Sequence, residues 1–261
     1  MTEDLDAATR HPQIPQTASA EPAQPTQPSE RWLTDAAAGV VLTVGAVVLV
    51  GFAAGRLWIP DTNVGTLLSY LAVWVPLLGA VLFACFSHGT RSLVRDFGLR
   101  VRPIDLLWGL SIGLLARVVA SLIELAVYGH VGSGAAVLGE TVHDGWFLFA
   151  AVLAPVLLGP FVEELFFRGL LLRAVTATTT ARGLSPRSAM GMAIGASALV
   201  FALVHLTGVH SANGMLVIGL STLVFGLGAA TVAALTGRLG GALIAHITFN
   251  ALVVVPALGL V

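Results

Sequence analysis

Residues 160–173 read PFVEELFFRGLLLR and lie inside a long apolar segment. Two adjacent carboxylates, Glu163 and Glu164, stand near the centre of this stretch, and Arg168 follows four residues after the second. A hydrophobic run of this length is typical of a membrane-spanning helix. An ionisable side chain inside such a helix is costly and marks a candidate functional site. The sequence therefore predicts a functional site within the membrane.

The two carboxylates are predicted to have different roles. On a helix Glu164 and Arg168 are neighbours at i,i+4, so each can neutralise the other. Glu163 points about 100° away from Glu164 and has no partner on its own helix. We therefore expect Glu164 and Arg168 to form a structural ion pair, with Glu163 as the reacting group.

The composition indicates an integral membrane protein, since 56% of the residues are hydrophobic and 10% are charged. The net charge of −1 does not indicate a partner, and we expect no nucleic acid because no basic run is present. All 13 basic residues are arginine, a composition typical of a GC-rich bacterial gene. We expect an all-α, multi-pass protein of a bacterial plasma (inner) membrane, with the lipid bilayer as its surroundings.

The chain divides into a tail and a membrane domain. Residues 1–30 contain five prolines among polar residues and predict a disordered tail rich in Pro and Gln. Residues 31–261 are predicted to form a transmembrane bundle of about seven helices, because seven apolar segments are long enough to cross the hydrocarbon core. These segments are residues 33–58, 64–87, 104–128, 146–173, 189–209, 214–236 and 240–261.

The distribution of arginine predicts the orientation of the bundle. The tail and the loops after the second, fourth and sixth segments together hold ten arginines, whereas the opposite side holds only Arg56. Positive charge concentrates in cytoplasmic loops, so the N-terminus is predicted to be cytoplasmic. The ten are Arg10, Arg31, Arg91, Arg95, Arg100, Arg102, Arg173, Arg182, Arg187 and Arg238.

Two later segments also carry polar side chains that could join the site. Phe201 and His205 share one segment, and His246 and Asn250 lie on one face of another at i,i+4. Counted from the predicted cytoplasmic ends, Glu163 lies about 15 Å deep and Asn250 about 15 Å. His205 lies about 24 Å deep by the same count, which is too far for contact if the helices are straight.

The three motifs together resemble those of a known family. Glu-Glu-x-x-x-Arg, Phe-x-x-x-His and His-x-x-x-Asn occur in this order in the CAAX protease and bacteriocin-processing (CPBP or Abi) family of intramembrane proteases. Type II CAAX prenyl endopeptidases are related to this family. Here the motifs are Glu163, Glu164 and Arg168, then Phe201 and His205, then His246 and Asn250. The resemblance covers about residues 95–255, including Phe97-Gly98-Leu99.

The resemblance implies an endopeptidase that cleaves a membrane-associated or secreted peptide or protein. Glu163 and His205 would activate a water molecule, while His246 and Asn250 would hold the oxyanion. Glu164, Arg168 and Phe201 would support the site. Members of the family are often described as metalloproteases, and Glu163, His205 and His246 could supply three zinc ligands. The chain lacks a His-Glu-x-x-His motif, and we expect the mechanism to need no metal.

Two other classes of function stay open at this point. Membrane Glu, Arg and His residues also mark proton or ion pathways in transporters. Transporters commonly contain internal repeats, and this chain has no second Glu-Glu motif. A non-catalytic scaffold or immunity protein with the same fold is the third reading, which the completeness of the three motifs disfavours.

Overall fold

The structure is a computed structural model that describes residues 31–59, 61–132 and 144–257. These residues form helices joined by short loops. No strand occurs in these ranges, so the predicted all-α class is confirmed. The predicted tail, residues 1–30, lies outside the described residues. The helices are α1 (Trp32–Gly55), α2 (Thr62–His88), α3 (Leu93–Phe97), α4 (Pro103–Tyr128), α5 (Gly145–Ala181), α6 (Pro186–His205), α7 (Ala212–Thr236) and α8 (Gly240–Ala257).

A multi-pass membrane bundle is the architecture that these helices form. Within the described ranges, six helices are long and apolar enough to cross a membrane, namely α1, α2, α4, α5, α6 and α7. The seventh predicted segment is α8, whose apolar part Gly240–Val254 is shorter. The short α3 lies between α2 and α4. The cytoplasmic position of the N-terminus stays a prediction.

Local sequence signals set the helix ends. Asp61 caps α2 by accepting hydrogen bonds from the backbone N–H groups of Asn63 and Val64, at 2.7 and 3.0 Å. Ser185 caps α6 in the same way, and Pro186 follows at the first helical position, where a missing N–H costs nothing. Gly237 ends α7 in the left-handed conformation, at φ 66°.

The central element is α5, which is longer than predicted. It runs on through residues 174–181, beyond the predicted end at residue 173. Two stretches, Leu148–Leu158 and Leu165–Leu171, are wound as π-helix, a form that recurs at functional sites. Every residue of the second stretch is buried, and α5 packs against α1, α2, α6, α7 and α8. This helix therefore holds Glu163 and Glu164 in the core of the bundle.

Close packing between α4 and α8 fixes the position of α8 along the axis of the helix bundle. A Cβ atom at Gly109 would stand 2.5 Å from the side chain of Ile244, and one at Gly113 would stand 2.7 Å from the carbonyl oxygen of Ala245. Only glycine allows the two helices to approach so closely. As a result, His246 and Asn250 on α8 are brought level with the middle of α5.

Two ion pairs brace α4. The buried carboxylate of Asp105 accepts two hydrogen bonds from Arg238, one from Nη2 at 2.7 Å and one from Nε at 3.3 Å. These bonds raise the pKa of the Arg238 guanidinium. They tie the start of α4 to the turn between α7 and α8. Further along α4, the Nη2 atom of Arg117 lies 3.3 Å from Oε1 of Glu124. Arg117 therefore has a partner on its own helix.

Candidate active site

The residues predicted to form the site line one cavity of about 380 Å³. Glu163 reaches it from α5, His205 from α6, and His246 and Asn250 from α8. Phe201 lies on the same wall as His205. The three motifs, which are widely separated in sequence, are thus brought together by the fold.

The predicted depth of Glu163 is wrong, because the count began at the wrong end residue of its helix. Helix α5 ends at Ala181 and not at Arg173. Counted from Ala181, Glu163 lies about 27 Å along its helix, and His205 lies about 28 Å from Pro186 at the start of α6. The two side chains are therefore at the same level, and straight helices suffice to join them.

Glu163 stands between the two histidines. Its Oε2 atom lies 3.8 Å from Nε2 of His205 and 3.8 Å from Nε2 of His246. Both distances exceed a hydrogen bond, but each is short enough for a water molecule or substrate atom to bridge the groups. The Glu163 side chain is 15% exposed, so it is accessible from the cavity while surrounded by apolar helices.

The ring of His205 is oriented by the backbone of its own helix. Its Nδ1 atom lies 2.8 Å from the carbonyl oxygen of Phe201. A carbonyl oxygen only accepts hydrogen bonds, so Nδ1 must carry the proton. Nε2 of the neutral ring then has a free lone pair that faces Glu163. The ring centroids of Phe201 and His205 lie 4.2 Å apart, which agrees with a supporting role for Phe201.

The ion pair predicted between Glu164 and Arg168 is present. Nη1 of Arg168 donates to Oε1 of Glu164 at 2.9 Å, and the side chains of Arg168 and Glu164 are 0% and 1% exposed, respectively. The rings of Phe201 and Phe225 lie 4.5 and 5.5 Å from the guanidinium carbon, so cation–π contacts add to the pair. Glu164 has a second partner that was not predicted, since its Oε1 lies 2.8 Å from Nδ1 of His246.

Asn250 is engaged with α5. Its Nδ2 atom donates to the carbonyl oxygen of Pro155 at 2.7 Å. In π-helical winding this carbonyl would accept from the N–H of residue 160, but Pro160 has none. The N–H of Gly159 bonds instead to the carbonyl of Ala154. Asn250 thus satisfies an acceptor that the proline leaves free, and its second amide hydrogen stays available.

Helix α2 supplies cavity residues that the sequence analysis missed. Ser69, Tyr70 and Trp74 line the cavity, and the rings of Tyr70 and Trp74 are stacked with centroids 5.0 Å apart. The Tyr70 hydroxyl donates to the carbonyl oxygen of Ala150 at 2.6 Å, within the first π-helical stretch. Polar residues on an otherwise apolar helix were the available signal, but no motif linked them to Glu163.

A larger groove of about 680 Å³ meets the cavity at Glu163 and His205. Its walls come from α1, α2 and the end of α6, and most of its lining is apolar. Val47, Val48 and Phe52 contribute from α1, and Val73 and Leu77 from α2. Glu163 and His205 are therefore shared by the two spaces.

Glu163 lies further from the two histidines than ligands lie from each other around a bound tetrahedral zinc ion, and that the site needs no metal stays a prediction. In the three described ranges, no group of three or more His, Cys, Asp or Glu side chains is placed so that it could hold a metal. Ligands bound to zinc at about 2.0–2.2 Å lie roughly 3.5 Å or less from each other in a tetrahedron. The 3.8 Å separations between Glu163 and the two histidines are longer than that.

Residues 145–252 match the model of a protein family described as type II CAAX prenyl endopeptidase Rce1-like. This stretch of the chain is Rce1-like. The match confirms the resemblance predicted from the three motifs, all of which lie inside it. No curated protein and no solved structure matches the chain.

The Rce1-like segment begins with α5 and ends within α8. It therefore contains Glu163, His205, His246 and Asn250 together with the ion pair behind them. Helices α1 to α4 lie outside it, and with them Tyr70 and Trp74 of the cavity wall. The candidate catalytic residues thus belong to the matched segment, while the α2 wall of the cavity and the α1 and α2 walls of the groove do not.

Proposed function

We propose that the protein is an intramembrane endopeptidase that hydrolyses a peptide bond of a membrane-associated or secreted peptide or protein. The observation that carries the proposal is the position of Glu163, whose Oε2 lies 3.8 Å from Nε2 of both His205 and His246 inside a cavity of the membrane bundle. The Rce1-like match to a protease family supports it.

The reaction would use a water molecule held between Glu163 and His205. As the water oxygen attacks the carbonyl carbon, its proton passes to the Glu163 carboxylate or to Nε2 of His205. The resulting oxyanion would be stabilised by Asn250 through its second amide hydrogen, and by His246 when its Nε2 carries a proton. When the carbon–nitrogen bond breaks, the stored proton passes to the leaving amine.

The apolar groove would admit the substrate. It runs from the C-terminal half of α1 to Glu163 and His205, and its lining of valine, leucine and phenylalanine suits an apolar polypeptide segment. A peptide bond carried along the groove would reach the two reacting groups at its inner end. The substrate would therefore be a chain with an apolar stretch next to the cleaved bond.

The proposal is tested by comparing protein N-termini in membranes and culture fluid of cells that carry the wild type, Glu163→Gln or Glu124→Gln. Glu124 is a membrane carboxylate that does not line the cavity, so its variant is the control. We expect at least one N-terminus present in the wild type and Glu124→Gln but absent in Glu163→Gln, where its precursor accumulates. Identical sets of N-termini in all three strains would contradict the proposal and favour a transporter or a scaffold.

A further inference from the structure

The second carboxylate, Glu164, has a contact that its ion pair does not explain. One oxygen, Oε1, accepts a hydrogen bond from Nη1 of Arg168 at 2.9 Å and also lies 2.8 Å from Nδ1 of His246. The other oxygen, Oε2, is buried without a hydrogen-bond partner in the described part of the chain. The carboxylate is thus turned so that one oxygen serves both neighbours.

The contact with Arg168 favours one position for the proton between Glu164 and His246. A guanidinium always carries its charge and only donates, so the carboxylate that it binds is ionised. An ionised carboxylate has no proton to donate. The hydrogen bond therefore runs from Nδ1–H of His246 to Glu164.

We propose that Glu164 is a positioning residue that keeps a proton on Nδ1 of His246 and turns Nε2 toward the cavity. The consequence for catalysis rests on the proposed function, whereas the position of the proton does not. With the proton on Nδ1, Nε2 of the neutral ring presents a lone pair at 3.8 Å from Glu163. His246 then acts first as a proton acceptor, and it donates to an oxyanion only after Nε2 has gained a proton.

The surroundings of His246 give the ring few other orientations. Its side chain is 3% exposed, and the rings of Phe225 and Phe201 lie 4.6 and 5.7 Å from it, centroid to centroid. A buried carboxylate on one imidazole nitrogen fixes both the tautomer and the direction of the other nitrogen. It also stabilises the imidazolium that forms when Nε2 takes a proton.

The proton position can be measured directly by solid-state NMR of the full chain in lipid bilayers, with histidine labelled with ¹⁵N. The His246 signals are assigned by their loss in His246→Gln. We expect a protonated Nδ1 in the wild-type protein, with or without a proton on Nε2. A bare Nδ1 with the proton on Nε2 alone overturns the proposal, whether or not the protein proves to be a peptidase.

Two variants separate positioning from charge pairing. Arg168→Met removes the ion pair but keeps Glu164 beside His246. The double variant Arg168→Met with Glu164→Leu also removes the carboxylate, and it leaves no buried charge from the pair unpaired. Because an imidazole is more basic than a carboxylate, we expect the proton to stay on Nδ1 of His246 in the single variant, and we expect it to shift toward Nε2 in the double variant. The same proton position in both variants would mean that Glu164 serves only as the partner of Arg168.

Cleavage provides a second readout once a substrate is known. Groups that orient a reacting histidine typically contribute at least roughly tenfold to activity. We therefore expect the double variant to be at least about tenfold slower than Arg168→Met at equal folded protein. Equal rates would overturn the positioning role. If neither the wild type nor Arg168→Met cleaves any substrate, the proposed function fails, while the NMR result still decides the position of the proton.

Discussion

Glu163 and Glu164 are neighbours in sequence but occupy two different environments. Glu164 is closed off, is 1% exposed, and has Arg168 and His246 within hydrogen-bonding distance. Glu163 faces the cavity, is 15% exposed, and has no group closer than 3.8 Å among its ion-pair contacts. The rotation of about 100° between successive residues separates a carboxylate that is held in place from one that stays accessible from the cavity.

This difference suggests how a membrane protein could keep one ionisable group available for a reaction. Glu164 is buried and held by an arginine and a histidine, so it is closed to a substrate. A carboxylate beside two histidines at bridging distance can still exchange a proton with a bound molecule. If this division holds, changes to Glu164 or Arg168, the closed side, should affect stability, whereas changes to Glu163 or His205, the open side, should affect the reaction.

The largest expected effect is on the open side. Glu163→Gln keeps the shape of the side chain but removes the base, and His205→Ala removes its partner. We expect each change to lower cleavage by up to about 10⁴-fold, the upper range for an acid–base group, with the unfolding transition unchanged. The double variant should be little slower than either single one, because the two groups act as a unit. Fully additive losses would show that they act independently.

A change on the closed side should lower the stability of the protein. Arg168→Ala leaves Glu164 as a buried charge without its guanidinium, and we expect the free energy of unfolding to fall by about 3–5 kcal/mol. Arg117→Ala is the matched control, since the Arg117–Glu124 pair is longer, at 3.3 Å, and 15% and 10% exposed. Its loss should therefore cost less. If Arg168→Ala is fully folded but inactive, Arg168 takes part in the reaction and is not only a structural residue.

Asn250 lies between the two sides, because one of its amide hydrogens supports α5 and the other is free. We expect Asn250→Ala to lower cleavage by about 10²–10³-fold, the usual effect of losing one oxyanion donor. It should also destabilise the protein by about 1–3 kcal/mol, because the Pro155 carbonyl loses its partner.

A second substitution separates these two effects. Pro160→Ala restores an N–H group that can bond to the Pro155 carbonyl. Combined with Asn250→Ala, it should recover stability but not cleavage. Recovery of both would show that Asn250 acts only through the helix.

The smallest expected effect is that of chelators. Nδ1 of each histidine is hydrogen-bonded and Nε2 faces Glu163, an arrangement also found around metal-binding histidines, so the metal requirement needs a direct test. We expect cleavage by the purified protein to be unchanged after dialysis against a zinc chelator. Activity that is lost in chelator and restored by zinc would make Glu163, His205 and His246 metal ligands.

Local geometry made one part of the site predictable. The spacing of Glu164 and Arg168 fixes an i,i+4 pair on any helix, and Glu163 must then point elsewhere. The pair is present at 2.9 Å. The membrane bundle itself also follows from the apolar segments, because their length leaves no other structure that could satisfy the backbone inside a membrane.

Contacts between helices were not predictable in the same way. The predicted end of α5 is Arg173, where the apolar segment stops, yet this helix continues through a run of threonine and alanine to Ala181. The bond from Asn250 to Pro155 depends on the packing of α8 against the first π-helical stretch. The contact between Glu164 and His246 depends on the close approach of α4 and α8, and neither distance is encoded in the spacing of a motif.

We infer that Glu163 reacts and that Glu164 holds the structure, and one paired measurement distinguishes these roles. Glu163→Gln and Glu164→Gln are purified in the same lipid, and the cleavage rate per folded molecule is measured along with the unfolding midpoint. We expect Glu163→Gln to unfold like the wild type but not to cleave. Glu164→Gln, in contrast, should unfold at a clearly lower temperature because Arg168 loses its counter-ion. Wild-type cleavage by folded Glu163→Gln would contradict the account.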